Sequence, residues 1–169
     1  MKIENYKKWA SLAVGILIVS CFFWGCSSTH NASKPTADDI KEMVNSSQFD
    51  FVADRMTPMR GGTKTLTTHY TVTIMKDSIN CYLPYAGRAT QAPMNMTGGG
   101  VEFTSSKFSY DVANKKEDQW DVTIKPEGNS DVQQLFFNIF SNGTANLNVT
   151  STHRDPISFS GYIEKIKSK

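Results

Sequence analysis

The sequence predicts an all-β domain: an antiparallel meander of eight or nine short strands that closes into a lipocalin-like barrel, or folds into a sandwich, behind one N-terminal helix. Three observations predict it. Apolar residues recur with period two through most of the chain after residue 48, with polar residues between them. Turn residues separate these runs, and no helical pattern lies between any two of them, so βαβ spacing is absent. The 169 residues suit one domain with a real core, and 39% hydrophobic against 20% charged residues excludes a wholly disordered chain.

Residues 1–25 read as a lipoprotein signal peptide. Lys2, Lys7 and Lys8 precede a 16-residue apolar or small run, residues 9–24, which is short of the roughly 20 residues a spanning helix needs. A retained signal anchor is the competing reading. Two cysteines are candidates for lipidation. Ile18-Val19-Ser20-Cys21 matches a lipobox better than Phe23-Trp24-Gly25-Cys26, but cleavage at Cys21 leaves Phe22, Phe23 and Trp24 at the mature start. A Ser-rich tether, residues 26–35, begins cleanly at Cys26, which favours Cys26 with Cys21 as the alternative. Multiple acylation there would hold the domain on a membrane. With Cys26 acylated and Cys21 removed, Cys81 is the one thiol left, so no disulfide framework is expected.

The β domain spans residues 36–169 and opens on a helix over 36–46. Thr36 is placed to cap it, Asp38 and Asp39 sit in its first turn, and Ala37, Ile40, Met43 and Val44 share a face suited to a lid or plug. Strands follow as alternating runs: Phe49, Phe51 and Ala53; Leu66, Tyr70, Val72 and Ile74; Ile79, Cys81, Leu83 and Tyr85; Phe108, Tyr110 and Val112; Trp120, Val122 and Ile124; Leu135, Phe137 and Ile139; Ala145, Leu147 and Val149; Ile157, Phe159 and Ile163. Lys76-Asp77 reads as a tight link. Asn142-Gly143 is the strongest hairpin signal, because both residues tolerate positive φ. Residues 84–100 hold two prolines, four glycines and two methionines and read as a long loop; residues 56–62 read as a second loop. Sequential hairpins favour an up-and-down barrel over a sandwich by a small margin.

Four segments carry a resemblance to a known family: Phe49-Asp50-Phe51-Val52-Ala53-Asp54-Arg55-Met56-Thr57-Pro58-Met59; Tyr82-Leu83-Pro84-Tyr85-Ala86-Gly87-Arg88-Ala89; Asn142-Gly143-Thr144-Ala145; and the run from Ser151-Thr152-His153-Arg154 to Ser160-Gly161. In that order, behind a lipoprotein-like start, they resemble domain-of-unknown-function family 4251, small envelope lipoproteins of Bacteroidetes. The likeness implies an exported, lipid-anchored β domain and brings no catalytic residues. Ala86 stands where an aromatic is usual, which implies an altered pocket if that aromatic lines one.

The remaining residues bound the chemistry. The first 25 residues hold three lysines and one glutamate, which leaves 15 basic and 15 acidic side chains after them. That neutral balance makes no case for nucleic acid. His69 and His153 read as surface histidines, and nothing suggests a metal site or a cofactor. Cys81 alternates in phase with Ile79 and Leu83 and reads as a core residue, not a nucleophile. Glu102 is placed to pair with Arg88 or Arg154. No Gly-x-Ser-x-Gly, Ser-x-x-Lys or phosphate loop is present, so no catalytic residue is named. The candidate ligand-binding set is Tyr82, Tyr85, Arg88, Met94, Met96 and Phe103: aromatic faces with polar tips, a fixed cation and adaptable thioethers at a barrel mouth. The expected protein is a lipid-anchored lipoprotein of the outer membrane, on the periplasmic rather than the outer face. Its expected role is non-catalytic binding of a small or lipidic ligand. An interaction module with a filled barrel, partnered by an envelope protein, is the second reading, and an enzyme the third.

Overall fold

The computed structural model describes residues 35–89, 99–116, 118–128 and 131–166. Helix α1 (Ala37–Ser46) leads into nine strands: β1 (Phe49–Pro58), β2 (Lys64–Ile74), β3 (Ile79–Leu83), β4 (Val101–Ser105), β5 (Phe108–Lys116), β6 (Gln119–Pro126), β7 (Val132–Phe140), β8 (Thr144–Ser151) and β9 (Ile157–Glu164). Among the described residues the fold is all-β, a nearly closed antiparallel barrel with one short helix. The expected signal peptide, Cys21, Cys26 and most of the tether lie outside the described residues.

Every neighbouring strand pair is antiparallel, in the order β4-β3-β2-β1-β9-β8-β7-β6-β5. Along that order β4 and β5 point the same way, and only Ser106 and Lys107 separate them. They therefore act as one bent strand, whose first half pairs with β3 and whose second half pairs with β6. Nine strands thus follow eight courses, the even number that lets an antiparallel meander close on itself. Eight is also the size at which side chains just fill the interior. Sequence periodicity finds these eight courses and misses β4, because Val101, Glu102 and Phe103 follow a run of three glycines.

Alternation sets the inward face. β3 and β8 bury every second residue, and Phe49, Phe51, Phe137, Phe159, Ile124, Leu135 and Leu147 are fully enclosed. The Phe137 ring meets Phe49 and Phe51 edge-on at 6.0 and 5.5 Å. Each such side chain contributes about 1.5–3 kcal/mol on burial. Cys81 sits among them, 1% exposed, its thiol donating to the Val101 carbonyl at 3.4 Å. Burial pushes that thiol well up, as expected of a core cysteine.

Two expectations are corrected. Residues 56–58 belong to β1, paired with residues 157–159 of β9, so the second loop is shorter than the sequence suggests. A Pro at the end of a strand costs one ladder bond and no more. Tyr85 lies beyond β3, which stops at Leu83 because Pro84 cannot donate to the ladder. The Asn142-Gly143 hairpin forms, but only Gly143 takes positive φ, at 84°. The Gly143 N–H returns to the Phe140 carbonyl at 2.9 Å, so the turn is the three-residue type with a glycine bulge.

α1 plugs the barrel end formed by this turn, the start of β1 and the end of β9. Thr36 and Asp39 form a reciprocal capping box, and Ser47 ends the helix in the left-handed region at φ 55°. Ile40, Met43 and Val44 are buried inward. Tyr110 of β5 donates its hydroxyl to the Val44 carbonyl at 2.6 Å, and Ile40 lies 3.3 Å from where a Cβ on Gly143 would stand. The exposed Lys165–Asp39 pair at 2.8 Å ties the chain after β9 to the helix.

Candidate functional site

The predicted mouth residues lie at the opposite end, where β3 finishes and β4, β7 and β9 begin. Beyond Pro84 the chain folds back. The Tyr85 hydroxyl reaches two carbonyls, Arg88 at 2.9 Å and Asp155 at 3.2 Å. Gly87 passes close beneath it: a Cβ there would stand 2.5 Å from that hydroxyl, so the Tyr85 ring would have to shift. Arg88 and Asp155 exchange backbone contacts: the Asp155 N–H donates to the Arg88 carbonyl at 3.1 Å, and the Arg88 N–H reaches the Asp155 carboxylate at 3.4 Å. A single bridge joins Ala89 to Arg154. The Tyr85 phenol is raised above its usual value, first by desolvation and then by the Asp155 charge.

Arg154 is the centre of this end. Its side chain is 2% exposed and is held by two main-chain carbonyls and a carboxylate. Nη1 donates to the Gly100 carbonyl at 2.8 Å and the Gly99 carbonyl at 3.3 Å. Nε lies 3.1 Å from the Asp131 carboxylate, and the guanidinium plane sits 5.0 Å over the Tyr85 ring. Among the described residues β4 has a ladder only on its β3 side. Arg154 therefore bridges the start of β4 to the start of β7 where strand pairing is missing. Of the two partners that the sequence offers Glu102 (Arg88 or Arg154), Arg154 pairs with Asp131 instead, and Glu102 stays exposed. The staple escaped the sequence reading because Arg154 and Asp131 both lie outside any periodic run. The one available signal was an arginine two residues before Pro156, beside the Leu-Pro-Tyr segment in the family motifs.

The candidate set is divided by the fold. Tyr85 and the Arg88 backbone meet at this end, while the Arg88 side chain is exposed. Tyr82 alternates outward on β3, 45% exposed, and stacks on Tyr70 with centroids 5.4 Å apart. Phe103 is half-buried and packs on the core, and Trp120 is enclosed in it. Met94 and Met96 lie outside the described residues. His69 is exposed on β2, and His153 is half-buried beside Arg154. Among the described residues no three His, Cys, Asp or Glu side chains come together to hold a metal. An open hollow of about 300 Å³ lies at the far end, against α1, lined by Glu42, Met43, Ser46, Gln48, Lys165 and Ile166.

The two outer faces of the sheet differ. Across β6 to β9, side chains spend their polar groups on one another: Asn138 donates to Asp121 at 2.6 Å, Ser160 to Asn146 at 3.0 Å and Ser158 to Asn148 at 2.5 Å. Across β2 to β4 the rows are Thr71–Tyr82–Glu102 and Thr73–Asn80–Thr104.

Comparisons with known proteins agree with this architecture. A crystal structure of a DUF4251 family protein from Bacteroides eggerthii DSM 20697 is similar to the chain, with a TM-score of 0.57 at 16% identity, over 79% of this chain and 90% of that one. At that identity the likeness speaks to the fold. No curated protein matches the sequence. The family model of a domain of unknown function, DUF4251, matches residues 32–163, most of the chain, and on that match the chain belongs to the DUF4251 family.

Proposed function

We propose that the chain is a lipid-anchored protein of the bacterial outer membrane, held through an acylated Cys26, whose barrel works from its outer surface as a non-catalytic binding module for an envelope partner. The observation that carries this reading is the apolar, enclosed core of the described residues. Phe49, Phe51, Phe137 and Phe159 are fully enclosed along the barrel, α1 covers one end, and at the other Arg154 donates to main-chain carbonyls and pairs with Asp131. A binding barrel for a small ligand keeps its cavity lined with a few unspent polar groups. Here the Tyr85 hydroxyl, Arg154 and Asp131 hold the chain together. The lipoprotein-like start supports the anchor, and the tether sets its reach.

Native mass spectrometry of the full chain extracted from its own envelope tests both parts. The expected mass is the acylated polypeptide with no stoichiometric small molecule. A defined small adduct that Tyr85→Ala removes would overturn the filled-barrel reading in favour of a ligand site. Cys26→Ser is expected to abolish acylation and release the protein from the membrane fraction. Acylation that survives Cys26→Ser and is lost in Cys21→Ser would move the anchor, and a chain acylated in neither form would remove it.

A further inference from the structure

We infer that the outer face of β2, β3 and β4 binds a neutral glycan chain, with the exposed Tyr82 ring as its stacking platform. The inference rests on the reading that the barrel works from its outer surface, and it names the partner. Tyr82 keeps 45% of its surface exposed while Tyr70, half-buried and packed on the core, covers one side of its ring at 5.4 Å and 30°. The ring is held before any partner arrives, so little rotamer freedom is left to lose on binding. Around it stand Thr71, Asn80, Glu102 and Thr104, in register on the neighbouring strands. Asn80, Glu102 and Thr104 are exposed, Thr71 is half-buried, and none of the four makes a side-chain hydrogen bond to another described residue.

That is the opposite of the β6 to β9 face, where Asp121, Asn138, Asn146, Asn148, Ser158 and Ser160 satisfy each other. One face of the same barrel has closed its polar groups and the other has left them open around a fixed aromatic ring. A pyranose fits the second arrangement. Its C–H face lies on an aromatic plane, and its rim of hydroxyls needs both donors and acceptors. Asn80 offers both, the threonine hydroxyls either, and the Glu102 carboxylate two acceptor oxygens. Adjacent strands about 4.8 Å apart put the Thr71–Tyr82–Glu102 row at about 10 Å, room for about two sugar rings. A protein partner would look for an apolar centre of several anchors with a polar rim, and the β2 to β4 face offers one ring. Glu102 and the lack of basic residues in these rows disfavour a phosphate backbone.

The test is affinity gel electrophoresis of the full chain, in detergent, through gels carrying soluble dextran, xylan or mannan, with sedimentation on purified peptidoglycan sacculi as a separate arm. Retardation by at least one polysaccharide, or sedimentation with sacculi, is expected, and the two arms separate a polysaccharide from a cell-wall source. Tyr82→Ala is expected to weaken binding by at least about tenfold and Tyr82→Phe to keep most of it. Tyr162→Ala, which removes a comparably exposed ring from β9, is expected to change nothing. Circular dichroism and the unfolding midpoint confirm that each variant folds. No binding on any probe, or equal loss from Tyr82→Ala and Tyr162→Ala, would overturn the inference. If crosslinking instead captures an envelope protein and Tyr82→Ala abolishes that crosslink, the glycan fails while the outer-surface reading stands.

Discussion

Replacing Arg154 by methionine removes the staple at the open end while keeping most of the side-chain volume. Three groups lose a partner at once: the Gly99 and Gly100 carbonyls, and the Asp131 carboxylate 3.1 Å from Nε. Hydrogen bonds to a charged group are worth about 1.5–3 kcal/mol each, and breaking a buried pair from one side typically costs about 3–5 kcal/mol. The Asp131 side chain keeps 14% exposure, so water recovers part of its solvation and the lower end of that range applies, about 3–4 kcal/mol. Against the roughly 5–15 kcal/mol of an ordinary domain this is a large share. Urea unfolding followed by far-ultraviolet circular dichroism reads it directly, and with an m value of about 1–3 kcal/mol/M the midpoint falls by more than about 1 M. Adding Asp131→Asn to Arg154→Met is expected to return part of the loss, because the orphaned charge goes with it. A loss below about 1 kcal/mol for Arg154→Met would refute the reasoning.

Three further outcomes are expected. Tyr110→Phe loses the bond to Val44 and about 1 kcal/mol in denaturant unfolding. Burial raises the Tyr110 phenol above its usual 10.0, so above about pH 10 the unfolded chain releases a proton the folded one keeps. Stability then falls with rising pH through that window, and less steeply in the variant. Gly143→Ala meets Ile40 at 3.3 Å and forces a side chain into φ 84°, costing about 1–2 kcal/mol by thermal unfolding, while Gly161→Ala lands on the Val52 carbonyl and is expected to prevent β1 from pairing with β9. The Cys81 thiol, 1% exposed and pushed well up, is expected to resist a thiol reagent at pH 8 until denaturant is added, as mapped by peptide mass spectrometry.

Period-two alternation was enough to place the core: Phe49, Val72, Cys81, Val122, Leu135, Leu147 and Phe159 all point inward as their spacing requires. The helix was legible because Thr36, Asp38 and Asp39 state its start and Ile40, Met43 and Val44 its buried face. Register and turn type were less so. Whether Asn142 takes positive φ depends on loop length, which the Asn-Gly pair does not set. The bend that joins β4 to β5 leaves no mark in hydrophobic phase, since Val101 and Phe108 each begin a new alternation. The partners of Arg154 were hidden for a different reason: Gly99, Gly100 and Asp131 come from two distant segments. Outward alternation, visible in Ile79-Asn80-Cys81-Tyr82-Leu83, places Tyr82 on the outer face of β3 and away from the interior.

The pairing of β1 with β9 also sets the order in which the domain can assemble. Every other ladder joins strands that are neighbours along the chain, so each hairpin can zip as it forms. β1 alone must wait for a partner about a hundred residues away, with the loop-closure entropy that such a separation carries. Until β9 arrives, β1 presents an open edge and the core is exposed along one seam. The barrel therefore commits late and all at once, and a chain emerging one residue at a time stays unlocked until β9 is out.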